Sequence, residues 1–274
     1  MAVGRSSLTA YAATARRVLV RERARNLPQR LRGGEERLVF IVGSPRSGTT
    51  FLAGAIGAVP GFADLTEVTP LKAAIPSLTG LPDADAAPRI RTILERVRGL
   101  TLVRGVRGVE QTPETAFVLG AALRAYPHAR AVHVVRDGRD VVCSLLERGW
   151  LSADRGGGDD ARLPYGADAR FWVRPDERAE FECASDAARA AWAWRSYVTA
   201  ARATHDRLLE VRYERLAEEA PRISHHLGVE PATLAATLSR FHDRSIGRFE
   251  RDLSAEQLAD VERVAGPLLG ELGY

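Results

Sequence analysis

Residues 39–52 read VFIVGSPRSGTTFL, an apolar run that turns into a helix and carries an arginine, a serine and two threonines inside the turn. Backbone amides in such a turn point into one concavity, and the positive end of the following helix adds to its attraction for phosphate. Gly43 and Gly48 have the separation of a nucleotide phosphate loop, yet the Lys-Ser/Thr pair that should follow the second glycine is replaced by Thr49 and Thr50. A cation is supplied instead by Arg46, within the turn. That chemistry points to an anionic donor whose transferred group carries less charge than a terminal phosphate, and an activated sulfate fits.

A second segment, ARAVHVVRDGRDVVCSLL at 129–146, reads as a β-branched strand, a polar turn and the start of a helix, with Ser144 eight residues after Arg136. Together the two segments resemble the PAPS-dependent sulfotransferases of the bacterial branch. In that family a PKSGTT or PRSGTT loop holds the 5'-phosphosulfate of 3'-phosphoadenosine 5'-phosphosulfate (PAPS), and an R-x7-S element holds its 3'-phosphate. LLEVRYERL at 208–216 is similar to the family's late strand ending in Tyr-Glu, and SIGRFERDLSAEQ at 245–257 to the bacterial C-terminal segment.

The resemblance implies that Arg46, Ser47, Gly48, Thr49 and Thr50 contact the phosphosulfate, and that Arg136 and Ser144 bind the 3'-phosphate, with Arg139 an alternative to Arg136. Tyr213 is implied beside the adenine, or as a buried aromatic; Arg244, Gly247 and Arg248 are implied around the 3' side, or as a solvated helix end. Transfer to a hydroxyl also needs a general base. LTEVTP at 65–70 puts Glu67 where some family members carry a glutamate base, although it also reads as a helix-start glutamate beside Pro70; Glu110 is the alternative base. VEQTPET at 109–115 is similar to the family's EKTP element, but Gln111 stands in place of its lysine, so Arg46 or Arg107 must carry more of the developing charge. Thr112-Pro113-Glu114 also reads as a helix start.

These residues need strands that end together. Strand 38–43, helix 48–58, a loop, a strand near 102–109, helix 114–125, strand 130–135 and helix 138–148 alternate as in a parallel sheet covered on both faces. This predicts a three-layer α/β/α fold with a central parallel sheet, P-loop NTPase-like. A helix at 186–203, a strand at 208–212 and helices near 214–227, 231–241 and 254–271 complete it. Residues 149–180 hold three consecutive glycines and scattered prolines, and read as a lid-like insertion with Trp150, Tyr165, Phe171 and Trp172 along it. Trp150 and Trp172 are candidates for an acceptor wall, or for pinning the loop.

Composition narrows the class. Hydrophobic residues make up 45% and charged residues 27% of 274, and no apolar run approaches a membrane span. The net charge of +4 is concentrated before residue 38, where nine arginines face three glutamates, so a general nucleic-acid binder is not expected. Residues 1–36 read as a basic, helical N-terminal segment that docks on the 37–274 domain or touches a membrane surface or partner. Of 39 basic residues only Lys72 is a lysine. Two cysteines and no secretory signal suggest a cytoplasmic protein, and no His, Cys, Asp or Glu spacing suggests a metal. The expected activity is sulfuryl transfer from PAPS to a hydroxylated small molecule, glycan or lipid, with PAP as product. A kinase-like nucleotide-binding enzyme and a noncatalytic PAPS- or PAP-binding protein stay open.

Overall fold

The computed structural model describes residues 5–22, 33–151, 170–204 and 206–274, with side chains from residue 8 onward. Helix α1 (Arg5–Arg21) precedes β1 (Val39–Val42), α2 (Thr49–Gly57), β2 (Phe62–Thr66), α3 (Thr69–Ala74), α4 (Asp83–Leu100) and β3 (Arg107–Glu110). Then come α5 (Leu119–Ala125), β4 (Arg130–Val135), α6 (Gly138–Arg148), α7 (Arg178–Cys183), α8 (Asp186–Arg202) and β5 (Leu208–Arg212). Helices α9 (Ala220–Leu227), α10 (Pro231–Leu238), α11 (Phe249–Asp252) and α12 (Ala255–Leu272) close the chain.

The five strands form one sheet in the order β2-β3-β1-β4-β5, and every pairing is parallel. Alternation along β1 splits the core in two: Val39 and Ile41 face the side of α2, α9 and α10, while Phe40 and Val42 face that of α4, α5, α6 and α8. A strand covered on both faces must be apolar throughout, and all four residues of β1 are buried. The chain enters at the central β1, builds outward to β2 and β3, and then crosses to β4 and β5 on the other side. Ligand crevices in open α/β sheets form where strand order reverses, at the carboxyl ends, which here is the end of β1.

Sequence expectation and structure part between residues 59 and 101, read as a loop but holding β2, α3 and α4. Strand β3 begins at Arg107 rather than 102, because Leu102 adopts a left-handed φ of 56° and Val106 is still in a turn. The expected helix 114–125 is a 3-10 turn at Pro113–Val118 followed by α5, and the helix expected from 214 starts as a 3-10 turn, Tyr213–Arg215, with α9 regular only from Ala220. Most of the expected lid, 152–169 with Tyr165, lies outside the described residues, as do residues 23–32 of the expected N-terminal segment.

Helix α1 lies along β2 and α3 and buries Tyr11, Thr14 and Val18. Its Thr14, Arg17 and Arg21 recur on one helical face and, with Glu22 just past its end, grip residues 64–69. Arg21 pairs with Asp64 at 2.7 Å, the Glu22 carboxylate accepts from Asp64 N at 3.2 Å, and Thr14 Oγ1 accepts from Thr69 N at 3.2 Å. Among the described residues no helix is long and apolar enough to cross a membrane.

Candidate active site

Each strand delivers a candidate residue at the position immediately after its last one. In sheet order these are Glu67 after β2, Gln111 after β3, Gly43 after β1, Arg136 after β4 and Tyr213 after β5.

The turn at 43–48 is shaped by its backbone. Gly43 has φ 154°, and a Cβ there would stand 2.5 Å from Val134 O on the neighbouring strand, so β1 and β4 approach as closely as they do only with glycine. Gly48 sits at φ 92°, and a Cβ on it would fall 2.4 Å from the ring of Tyr213. Arg46 also takes a left-handed φ, 72°, which directs its side chain out of the turn toward the helix of the second motif. There Arg46 Nε donates to Ser144 Oγ at 2.9 Å, and Arg136 Nη1 donates back to Arg46 O at 3.1 Å. Two segments about ninety residues apart in sequence therefore share one polar centre. Partial withdrawal from water, with the Arg148 and Arg136 cations nearby, pushes the Arg46 pKa below its ordinary value. Such a crowd of cations favours an anion among them.

Arg136 is nearly enclosed. Its guanidinium stands over the Tyr213 ring at 4.6 Å, donates to Ser245 O and pairs with Asp140 at 3.7 Å, while Trp194 Nε1 donates to its carbonyl at 3.0 Å. Asp140 also accepts from Gly247 N at 2.8 Å and Phe249 N at 3.1 Å, fastening 245–249 over the first turn of α6. Asp137 caps that helix by accepting from Arg139 N at 2.9 Å, and its carboxylate holds the Arg139 guanidinium at 2.7 Å. Of the two candidate arginines, Arg136 is the one joined to the turn. Arg248 is engaged by Glu147 and by Asp252 at 2.7 Å, and the bond to Glu147 raises its pKa.

Tyr213 is a buried floor beneath Gly48 and Arg136, its hydroxyl 3.2 Å from Ser245 Oγ. Phe241 packs edge-on against it at 5.1 Å, and Phe51 stands 5.7 Å from Phe241. Sequence reading passed over Phe51 because an aromatic in a helix start looks like core. It lines a cavity of about 650 Å³ with Thr50, Ala55, Thr237 and Arg240, which opens beside the turn.

On the other side, Thr50 Oγ1 donates to Gln111 Oε1 at 3.2 Å, so the residue in the lysine's place touches the helix that leaves the turn. Glu67 follows Thr66, itself at a left-handed φ of 60° beyond an irregularity in the β2–β3 register. Its carboxylate, 28% exposed, lies 3.5 Å from Lys72 Nζ. Arg17 donates to Glu67 O at 2.7 Å and to Thr69 Oγ1 at 2.8 Å. Glu110 is fully enclosed and bonded by Thr112 N at 2.7 Å and Thr115 Oγ1 at 2.9 Å; burial nevertheless raises its pKa to about 8. Of the two carboxylates proposed as base, Glu67 is the one open to solvent.

Two expectations are corrected and a third is extended. Arg107 does not reach in: it opens β3 at the opposite end of the sheet, donates to Leu227 O at 2.7 Å and covers the Phe62 ring. Trp172 is no acceptor wall, being buried edge-on against Phe181 at 5.5 Å. Thr112-Pro113-Glu114 does start a helical turn, but Thr112 Oγ1 also accepts from Val68 N at 2.9 Å and so ties the end of β3 to the Glu67 segment. Trp150 does stand at the site, with Arg46 5.8 Å from its ring centre.

The residues fit a doubly phosphorylated nucleotide. Ser47 Oγ and Arg136 Nε are buried with no hydrogen-bond partner, one in each motif, and the first amides of α2 face the same turn.

The Sulfotransferase family model matches residues 39–231. Among solved structures, the sulfotransferase STF9 from Mycobacterium avium aligns over 97% of this chain and 85% of its own at 14% identity, with a TM-score of 0.53. Mouse sulfotransferase SULT7A1 complexed with PAP aligns over 92% and 95% at 14% identity and TM-score 0.49, and the sulfotransferase domain of the Synechococcus olefin synthase over 86% and 95% at 17% and 0.48. No curated protein matches significantly in sequence. The family match spans well over half of the chain and contains both motifs, and the chain belongs to the sulfotransferase family.

Proposed function

We propose that this protein transfers a sulfuryl group from PAPS to a hydroxyl or phenol of a small molecule, glycan or lipid and releases PAP. The observation that carries this reading is the junction of the two motifs, with Arg46 Nε on Ser144 Oγ and Arg136 on Arg46 O. It brings the 43–48 turn and a second cationic group side by side, which supports binding of a nucleotide with phosphates at both 5' and 3' positions.

The turn amides, Ser47, Thr49 and Thr50 hold the 5'-phosphosulfate, and Arg136 with Ser144 holds the 3'-phosphate. Tyr213 supports the turn beneath Gly48, Phe51 and Phe241 offer an aromatic surface to the base, and Arg248 closes the 3' side together with the 245–249 segment. When bound, PAPS supplies the activated sulfuryl group. Glu67 takes the acceptor's proton as the new oxygen–sulfur bond forms and the bond to the phosphate breaks. Arg46 neutralises the charge gathering on that phosphate, and Gln111 adds hydrogen bonding in place of a cation. Strand β2 lies two ladder spacings from β1, about 10 Å, which leaves room for an acceptor between Glu67 and the turn.

Titration calorimetry with PAP and with ATP, each with and without magnesium, tests the donor. PAP is expected to bind at least tenfold more tightly than ATP, with no gain from magnesium. Tighter ATP binding with magnesium would favour a kinase-like enzyme. PAP release from PAPS over a panel of phenols, sugars and lipids then tests the transfer, and PAP binding without any turnover would leave a noncatalytic binding protein, the outcome that Gln111 would explain.

A further inference from the structure

We propose that Lys72 is a positioning residue for Glu67, fixing its carboxylate and keeping it ionised as the base; this rests on the role given to Glu67 above. Every other basic residue of the chain is arginine. The one lysine is fully buried, one turn into α3, with Nζ 3.5 Å from Glu67 Oε2 and 3.3 Å from Glu114 Oε1. Glu114 is itself enclosed and accepts from the Tyr197 hydroxyl of α8 at 3.0 Å. A guanidinium is a broad, rigid fork, whereas an ammonium is a compact point charge on a flexible stem. The ammonium needs less room between two carboxylates, one in the interior and the other at the surface.

The arrangement is directional. Tyr197 and Glu114 form the fixed end, Lys72 the link, and Glu67 the end that water and an acceptor can reach. Among the described residues, Arg17 from α1 binds the Glu67 carbonyl and interacts with its charge, and Glu110 at the end of β3 interacts with Glu114. A cation at this range lowers a carboxylate's proton affinity, and a second carboxylate competing for that cation weakens the effect.

The test is the acid limb of the pH profile of kcat/KM, which falls as the base is protonated. Lys72→Met combined with Glu114→Gln removes the pair together, so that no carboxylate is left buried alone. We expect the double variant to bind PAP within about twofold of the parent while its acid limb moves up by roughly one pH unit. Glu114→Gln alone leaves the lysine to Glu67 and is expected to move the limb down. A limb at its parental position in a folded, PAP-binding double variant overturns the inference, and an upward move in Glu114→Gln does so even if the double variant does not fold. Glu67→Gln separates the two claims: if it keeps parental turnover and the same limb, the role of Glu67 falls and that of Lys72 with it. Turnover lost in Glu67→Gln with an unmoved limb in the double variant removes Lys72 alone.

Discussion

The two halves of the site are built differently. On the side of β1, β4 and β5 the backbone does the positioning: Gly43 and Gly48 admit a close approach that any Cβ would block, and Arg46 is aimed by its own left-handed φ. On the side of β2 and β3 four side chains hold the Glu67 segment: Thr14 and Arg17 from α1, Thr112 after β3, and Lys72 from α3. The first half resembles a mould and the second a set of ties. On the proposed reading, a mould set by backbone geometry should bind the donor whatever happens across the cleft, whereas loosened ties should misplace Glu67 without altering donor affinity.

The sharpest way to break this contrast is on the donor side. Arg46→Ala removes a cation from where charge gathers and is expected to lower kcat roughly 10²-fold, as the loss of one preorganised donor does. PAP affinity should fall with it, read by calorimetry, since the same guanidinium holds Ser144. Gly48→Ala should weaken PAP binding too, because its Cβ meets the Tyr213 ring and φ 92° strains any residue with a side chain. Unchanged PAP affinity in both variants would mean that the turn is not the donor site.

The same contrast governs what the sequence revealed. Strand 130–135, helix 138–148 and strand 208–212 appear at the predicted bounds, because a β-branched run, an Asp137 cap and Gly149 beyond the helix are local signals. Arg46, Arg136 and Ser144 stand out because each lies in a contiguous segment that resembles a family motif, whereas the contact of Arg46 with Ser144 is visible only in the structure. Strand β2 was missed since FADLT carries Asp64 and Thr66 at an irregular edge, partnered by Arg21 and Glu22 of α1 rather than by its own alternation. Helix α4 was missed despite Ile90, Leu94 and Val97 along one face, with Pro88 inside it obscuring the pattern. Lys72 stood out only as a rarity, and nothing near it in sequence announced that Glu114 would be its partner.

A smaller effect is expected where α1 ties down the base. Arg17 donates to the carbonyl of Glu67 and to the hydroxyls of Thr69, Thr14 and Thr66, the last two at 3.3 and 3.4 Å. Arg17→Ala should cost about 2 kcal/mol of stability, the scale of hydrogen bonds from a charged donor. It should also lower kcat about tenfold through misplacement of Glu67 while PAP affinity stays put. Scanning calorimetry and PAP titration on the same preparation separate the two effects, and a parallel loss of PAP affinity would show that the halves are not independent.

The smallest expected effect on turnover concerns a group enclosed between them. Glu110 ends β3, and burial raises its pKa to about 8, against the hydrogen bonds from Thr112 and Thr115 that favour the charged form. Its folded pKa exceeds its unfolded one, so folding binds a proton. The stabilisation is complete below about pH 4.5 and is lost as pH rises toward 8. Glu110→Gln carries no such proton: its amide keeps an oxygen for Thr112 N, and its stability should not fall over that window. Across pH 5 to 8 the parent should therefore lose on the order of a few kcal/mol relative to the variant, and thermal melts at both ends of the range measure the difference. Both proteins should turn over alike at pH 6 on the proposed reading, in which Glu67 is the base. A collapse of turnover at that pH would move the base from the open end of β2 to the closed end of β3.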